Sequence, residues 1–549
     1  MLKVNFVGAV NGVSGSCSWL HHTDSNIQFL VDCGAYQGGD EPQRVEKFED
    51  FPFDADQISF ILLTHAHLDH CGLIPTLIEY GFTGKVYATK ATKEIVEVML
   101  LDSLKISGMD QCLLKEISWF LIDEQPFKWG QTISLSDGLK FTYLRSSHIL
   151  GAAHISLSWK TPNSPDSKWK TILFSGDIGV NIDGAEYLPL LKSEHYPFPQ
   201  TDYMVIESTY GSRNRESTVK SKDSRIAELW AVINKVCIDN DGTLLIPAFS
   251  LHRTQELICD IWAAIEKNMP PIYDENNKPK RFPWCIHSPL GNKISTVYSD
   301  RLFDKTSTGK GMYLNESLLR TLEFDDHSKL KDLFEKDNNV SERQILRKIG
   351  TNQKSSIKTP EDVIRKRHKI IVASSGMCNA GPVVDYLDLL SDNSNNAIMI
   401  TGYQAKDANG SSTLTQRMKN SKASLFDFSS YYSAHADQSG LVDFILNTQN
   451  TEQSNCNPVT IFINHGSDDS KAGLKNKLIE GGDLSKRKIK DIYLASSQWF
   501  DLDAGTYLPD TSDDTLTLSL DQKIDLLGNE LKEIKIMLRR LLRKTTIKK

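Results

Sequence analysis

The chain has 549 residues, 40% of them hydrophobic and 24% charged, with a net charge of −7. That length exceeds one ordinary domain and points to about two to four, with the composition of a globular protein that builds true cores. No run of about 18 apolar residues occurs, so no membrane span is expected; the acidic balance counts against a uniformly basic nucleic-acid binder and leaves local charge to decide.

The start, "MLKVNFVGAVNGVSGS", lacks the apolar core of a signal peptide and predicts a strand running into a Gly/Ser turn. Up to about residue 210, short apolar runs alternate with turn signals. "IQFLVDCG", "ISFILLTH", "GKVYAT", "LKFTYLRS", "HISLSWK", "KTILFSGD" and "DYMVIEST" all predict strands. The amphipathic stretch 92–104 predicts a helix between them, so sheets packed together and covered by helices are expected. From about 212, "SKDSRIAELWAVINKVC" predicts a helix, "GTLLIPAF" a strand and "HRTQELICDIWAAIEK" a helix. This alternation suggests a small α/β domain. The charged stretch 328–369 reads as surface helix and loop. "HKIIVASSG" and "NAIMITGYQA" return to strand texture, and after 400 come "SLFDFSSYYSAHAD" and "PVTIFINHGSDD".

The last segment differs. Leu520, Ile524, Leu527, Leu531, Ile534, Leu538 and Leu541 form a heptad seam, weakened by Gly528 and ending in "RRLLRKTTIKK". A homo-oligomer joined through helix 520–541 is expected, the alternative being a helix folded back on its own domain. Nine cysteines without CxxC spacing argue against a disulfide framework and for a reducing compartment, so a cytoplasmic location is expected.

One stretch carries chemistry. "LLTHAHLDHCG", residues 62–72, sets His65, His67, Asp69 and His70 within six positions of a chain that has 14 histidines. It follows the apolar run Ile58–Leu63, so the cluster sits where a buried strand emerges, held by a rigid element as a metal site requires. Imidazole with carboxylate favours zinc over calcium or magnesium. His65 and His67, two apart, can face one ion, while Asp69 and His70 can serve a second. Each ion then needs further ligands. His148 in "SSHILGAAH", Asp177 in "ILFSGDIG" and His465 in "IFINHGSDD" each lie near a strand end. Taken singly, each is as well read as a capped or hydrogen-bonded polar residue.

The order Asp32 in "LVDCG", then HxHxDH, His148 and Asp177 resembles the metallo-β-lactamase fold. "IESTYG" with Glu207, "YYSAHAD" with His435 and "INHG" with His465 resemble its β-CASP branch of nucleases, as do "PAFSLHRTQEL", "HSPLG", "ASSGM" and "GYQA". The resemblance covers residues 1 to about 500. It implies an αββα sandwich (1–211 and 401–505) interrupted by an inserted α/β β-CASP domain (212–400), with the helical tail (506–549) outside it. It further implies two Zn²⁺ ions. One would take His65, His67 and His148, the other Asp69, His70 and His465, with Asp177 bridging and Asp32 fixing the histidine loop by hydrogen bonds.

Two zincs and an activated hydroxide can hydrolyse a lactam, a thioester or a phosphodiester, and the fold does not choose. Three features favour the phosphodiester. An insertion of about 190 residues suits a polymer-binding cleft. The resemblance makes His435 the general acid, oriented by Glu207. Arg253, Ser288, Ser374, Ser375 and Gly376 offer phosphate-binding turn chemistry. His465 at the last metal position resembles the RNA-acting members of that branch, which implies RNA rather than DNA as substrate and partner, with cleavage leaving a 5′-phosphate and a 3′-hydroxyl. The chain departs from the family pattern at Ser467, where glutamate is usual, and at His252, where glycine is usual. The competing readings are a small-ester or lactam hydrolase and an RNA-binding scaffold without catalysis.

Overall fold

In a computed structural model of the chain, the described residues run from 1 to 509, apart from 37–50, 161–167, 180–189, 193–200, 216–223, 323–326, 351–356, 405–411, 450–457, 481–487 and a few single or paired positions. The heptad seam, Leu520 to Leu541, lies outside the described residues.

Two sheets form the first body. One has eight strands: Thr506–Tyr507, Phe500–Asp501, Leu2–Phe6, Ser18–His22, Ile27–Val31, Ile58–Leu62, Lys85–Ala88 and Ser118–Leu121, in that spatial order. The other has seven: Ile489–Leu494, Val459–Ile463, Tyr203–Ile206, Trp169–Phe174, Ala153–Lys160, Leu139–Arg145 and Thr132–Ser136. Their inner faces share one core. Phe6, Leu20, Phe29 and Leu62 of the first sheet meet Phe141, Ile155, Trp159 and Phe462 of the second. Period-2 alternation sends every second side chain inward, and the opposite faces are apolar too, because helices cover them. The helix Lys90–Ser107 buries Ile95, Val96 and Leu100 on one side. Helices Gln438–Gln449 and Asp468–Glu480 bury Leu441, Ile445 and Leu474 on the other. The layers are therefore αββα. Each buried Leu, Ile or Phe contributes about 1.5–3 kcal/mol of transfer free energy.

The third sheet is the insertion. Its order is Asn338–Asn339, Gln344–Lys348, Phe282–His287, Ile370–Ala373, Leu244–Pro247, Ala397–Ile400 and Ser424–Asp427. All its pairs are parallel except the first. Helices on both faces bury its near-continuous apolar strands, as a parallel sheet demands. Two details differ from the expectation. The charged stretch 328–369 contains a sheet strand, Gln344–Lys348, whose alternate residues Gln344, Leu346 and Lys348 are buried. And Ser424–Asp427 pairs with Ala397–Ile400, so the inserted sheet reaches beyond residue 400. A parallel edge strand needs a crossover, here through the helix Thr413–Met418, before the chain can return to the sandwich.

Among the described residues, no helix is long and apolar enough to cross a membrane.

Candidate metal centre

The histidine cluster begins three residues after the strand Ile58–Leu62. His65 leaves the strand, and the short helix Leu68–Cys71 carries Asp69 and His70. The loop is tied to the neighbouring turn by backbone bonds, from Cys33 N–H to the His70 carbonyl at 2.8 Å and from Ala35 N–H to the Leu68 carbonyl at 2.8 Å. Only glycine permits this approach: a Cβ at Gly34 would lie 1.6 Å from the Asp69 carbonyl oxygen.

Three other strand ends deliver the rest. Asp177 follows Trp169–Phe174, His465 follows Val459–Ile463, and His148 lies in the turn after Leu139–Arg145. Donor atoms of His65, His67, His148 and Asp177 all lie within 4.8 Å of one another, as do those of Asp69, His70 and His465. The Asp177 carboxylate stands between the two groups. Its Oδ2 is 3.5 Å from His65 Nε2 and 3.4 Å from His148 Nε2; its Oδ1 is 3.3 Å from His70 Nε2 and 3.8 Å from His465 Nε2. His465 Nε2 is also 3.6 Å from Asp69 Oδ2.

The chemistry of this set fits a metal cation. Asp177 Oδ1 is buried and finds no hydrogen-bond partner among the described residues, a costly state for a carboxylate oxygen unless a cation satisfies it. Ring nitrogens converge on one another: His67 Nδ1 is 3.1 Å from both His65 Nε2 and His148 Nε2, and His70 Nε2 is 3.1 Å from His465 Nε2. Burial holds His65 and His148 well below the ordinary imidazole range and His67 at about 4, so all three are neutral at pH 7, the form that ligates. On the other side burial is outweighed. Asp177 and Asp32 raise His70, and Asp177 with Asp69 raises His465.

Asp32 makes the supporting contacts. It accepts from Thr64 N–H at 2.8 Å and from Thr64 Oγ1, and its Oδ2 lies 2.7 Å from His70 Nδ1. That contact turns His70 Nε2 toward Asp177. Thr64 had no signal in the sequence beyond its place before His65.

Glu207 and His435 also meet. His435 Nδ1 is 3.2 Å from both Glu207 oxygens, and its Nε2 is 3.9 Å from Asp177 Oδ2. Burial lowers the His435 pKa, but Glu207 and Asp177 overcome it and push it up to about 10. Arg215, which sequence reasoning missed, staples the His435 loop by donating to the carbonyls of Ser433 and His435, each at 2.8 Å. Tyr210, within the quoted "IESTYG", sets its ring edge-on to His435 with centroids 5.9 Å apart. Beside them a cavity of about 330 Å³ opens between sandwich and insertion, with Tyr210, Arg213, Gln404, Ser429, Ser433 and Asp437 in its wall.

The proposed phosphate contacts are placed differently. Arg253 is buried and paired with Glu256, and its guanidinium lies 5.2 Å from the Tyr432 ring centroid. Ser288 is buried and caps the helix Pro289–Arg301 through Gly291 N–H at 3.1 Å. Ser375 Oγ bonds Asn379 Oδ1 at 3.0 Å, and the Gly376 carbonyl accepts from Gln404 Nε2 at 2.7 Å. Through Gln404 the Gly376 turn adjoins the cavity, while Arg253, through its pair with Glu256, and Ser288, through its cap on Gly291, are engaged inside the insertion. Ser467, the other departure, caps the helix Asp468–Glu480 through Ser470 N–H at 3.2 Å.

Comparison with known proteins runs along the whole architecture. Residues 10–210 match the Metallo-beta-lactamase superfamily, 254–412 the Beta-Casp domain, and 422–494 the Zn-dependent metallo-hydrolase RNA specificity domain. Transcription termination factor FttA of Methanocaldococcus jannaschii is 24% identical over 513 residues, covering 89% of this chain and 69% of that protein. Ribonuclease TTHA0252 of Thermus thermophilus is 28% identical over 293 residues, 53% of this chain and 59% of that one. An RNase J-like protein of Methanocaldococcus jannaschii is 26% identical over 470 residues, 83% of this chain and 91% of that one. With sandwich, insertion and closing segment each matched in order, the chain belongs to the β-CASP family of metallo-β-lactamase-fold metal-dependent hydrolases.

Proposed function

We propose that this chain is a zinc-dependent ribonuclease that hydrolyses RNA phosphodiesters. The observation that carries the reading is the position of His435, anchored on Glu207 at 3.2 Å and aimed with its Nε2 at Asp177, the carboxylate shared by both ligand groups. His65, His67 and His148 would hold one Zn²⁺, and Asp69, His70 and His465 the second, with Asp177 between them. Bound there, the two ions would supply Lewis acidity toward phosphate oxygens and lower the pKa of a nearby water.

The protein's own groups account for the rest. Breaking the P–O3′ bond expels an alkoxide-like oxygen, which leaves readily once protonated. His435 donates that proton from Nε2, while Glu207 accepts from Nδ1–H, fixes the tautomer and stabilises the imidazolium. The water oxygen becomes part of the new 5′-phosphate, and the proton from His435 completes the 3′-hydroxyl. Asp32 holds His70 in place. RNA as substrate is supported by the names of the relatives and by the RNA specificity domain match over 422–494, the segment that contains His435 and His465. The cavity beside Tyr210 and Arg213 has the volume of a small-ligand pocket and is open to both domains. An aromatic ring stacked with a guanidinium, 4.0 Å from Arg213 to the Tyr210 centroid, suits a base or a phosphate.

The test is to incubate the purified chain and zinc with RNAs labelled at either end, beside ester and lactam substrates, and to read product lengths and end groups. RNA fragments with 5′-phosphates are the expected result. Turnover confined to the small substrates would replace this reading.

A further inference from the structure

Residue 252 precedes the helix Arg253–Asn268 with φ 65° and ψ −52°, a backbone conformation that favours glycine. Yet a histidine is there, buried, and its side chain makes no capping bond to the helix. Its polar atoms go elsewhere. His252 Nδ1 lies 3.0 Å from Tyr298 Oη, on the helix Pro289–Arg301, and Tyr298 Oη is 3.4 Å from the backbone nitrogen of Leu150.

Leu150 N–H can only donate, so Tyr298 Oη accepts from it and keeps its own hydrogen to donate, which His252 Nδ1 is placed to accept. His252 then carries its proton on Nε2, which faces Glu256 Oε1 at 3.7 Å. Tyr298 and Leu150 are fully buried, so water cannot substitute for a lost member of the chain.

Leu150 is two residues beyond His148. The same turn is held from the sandwich side by the hydroxyls of Thr89 and Thr92, both 2.9 Å from the Gly151 carbonyl. His148 Nδ1 lies 3.3 Å from the carbonyl of Ala434, next to His435. One turn thus sets both a metal-ligand histidine and the backbone beside the general acid, and the insertion grips it through Tyr298.

We propose that His252 is a positioning residue of the metal centre, acting through Tyr298 on the turn that carries His148. The proposal rests on the metal-dependent reading of that centre and deepens it. The insertion then does more than cover the cleft, since the residue that precedes its helix Arg253–Asn268 carries a side chain that sets the far wall of the ligand cluster. Glycine at 252 would relax the backbone and leave Tyr298 without its acceptor.

The test compares the full chain with His252→Gly, Tyr298→Phe, the double variant and His252→Asn. Zinc affinity is measured by chelator competition, folding by thermal melting with chelator present, and kcat and KM on labelled RNA. His252→Gly and Tyr298→Phe are each expected to fold, to bind zinc about 10-fold more weakly, and to lose kcat with KM unchanged. The double variant is expected to be no worse than either single one. His252→Asn, which tolerates positive φ and places Oδ1 where Nδ1 was, is expected to restore the affinity. A parent that binds zinc, with His252→Gly and Tyr298→Phe binding it equally well, overturns the inference alone. A parent that binds no zinc overturns the metal reading and the inference with it.

Discussion

His435, partly exposed, pairs with the buried Glu207 so that one ring nitrogen sits 3.2 Å from each of two carboxylate oxygens, leaving the other nitrogen free to face Asp177 at 3.9 Å. His435 belongs to none of the candidate ligand groups, whereas Glu207 falls in one with Asp177 and His465, so it is at His435 that acid chemistry and metal binding are separable by mutation. His435→Ala is expected to retain its zinc and its RNA affinity while kcat falls about 100- to 10,000-fold. Metal analysis beside single-turnover cleavage checks this, and normal turnover in the variant would end the general-acid assignment.

The pair also sets a pH dependence. Burial lowers the His435 pKa, and Glu207 and Asp177 raise it to about 10, so the acid form is present at neutral pH and is lost as pH rises. Bound cations would pull that limit down, since positive charge disfavours imidazolium. Glu207→Gln removes one of the two anionic partners. The alkaline limb of kcat is therefore expected to move to lower pH in that variant. A limb that stays where it was would show that His435 does not produce it.

Asp177 approaches five imidazoles and keeps one oxygen without a hydrogen-bond partner among the described residues. Asp177→Asn is expected to lose bound zinc and, with it, the stabilisation that zinc gives. In a zinc-binding parent that gain would be about 2.7 kcal/mol at a free metal concentration 100 times Kd. Melting each protein with and without chelator separates the two: the chelator should lower the Tm of the parent and leave the variant unmoved.

At Gly34 an added Cβ would meet the Asp69 carbonyl oxygen at 1.6 Å, which is backbone and cannot swing aside. Gly34→Ala is expected to push the histidine loop off its neighbouring turn, costing about 1–3 kcal/mol and weakening zinc binding together with stability. Urea denaturation and zinc competition on the same samples measure both.

Removal of residues 515–549 tests the heptad seam, which lies outside the described residues. A Leu/Ile seam with a 3.5-residue period buries itself only against a partner helix. The truncated chain is expected to have a lower mass by light scattering than the full chain, and an unchanged mass would assign the tail no part in assembly.

Residues close together in the chain were readable in advance. HxHxDH after an apolar strand announces a metal loop, because ligand types one or two residues apart at a strand end stay close whatever the rest of the fold does. Many strands of the sandwich and the strand–helix alternation that opens the insertion were also legible, since each period reflects which faces are buried, whereas Ser18–His22, Ser118–Leu121, Thr132–Ser136 and Phe282–His287 were not predicted. Gln344–Lys348 escaped notice because two of its three buried positions are the polar Gln344 and Lys348 while the apolar Ile345 is only partly buried, and the inserted sheet reaches beyond residue 400 because its edge strand, Ser424–Asp427, is paired across a crossover.

Other relationships exist only in three dimensions. From the sequence by itself come the ligand types, the strand ends that carry them and, by resemblance, the family. Only the tertiary structure decides that Arg253 turns inward to Glu256, that Arg215 staples the His435 loop, and that His252 reaches His148 through Tyr298 and Leu150. The physical reason is range. Hydrophobic periodicity and turn chemistry act over a few residues, whereas a buried polar group finds its partner wherever packing brings one, across any length of chain.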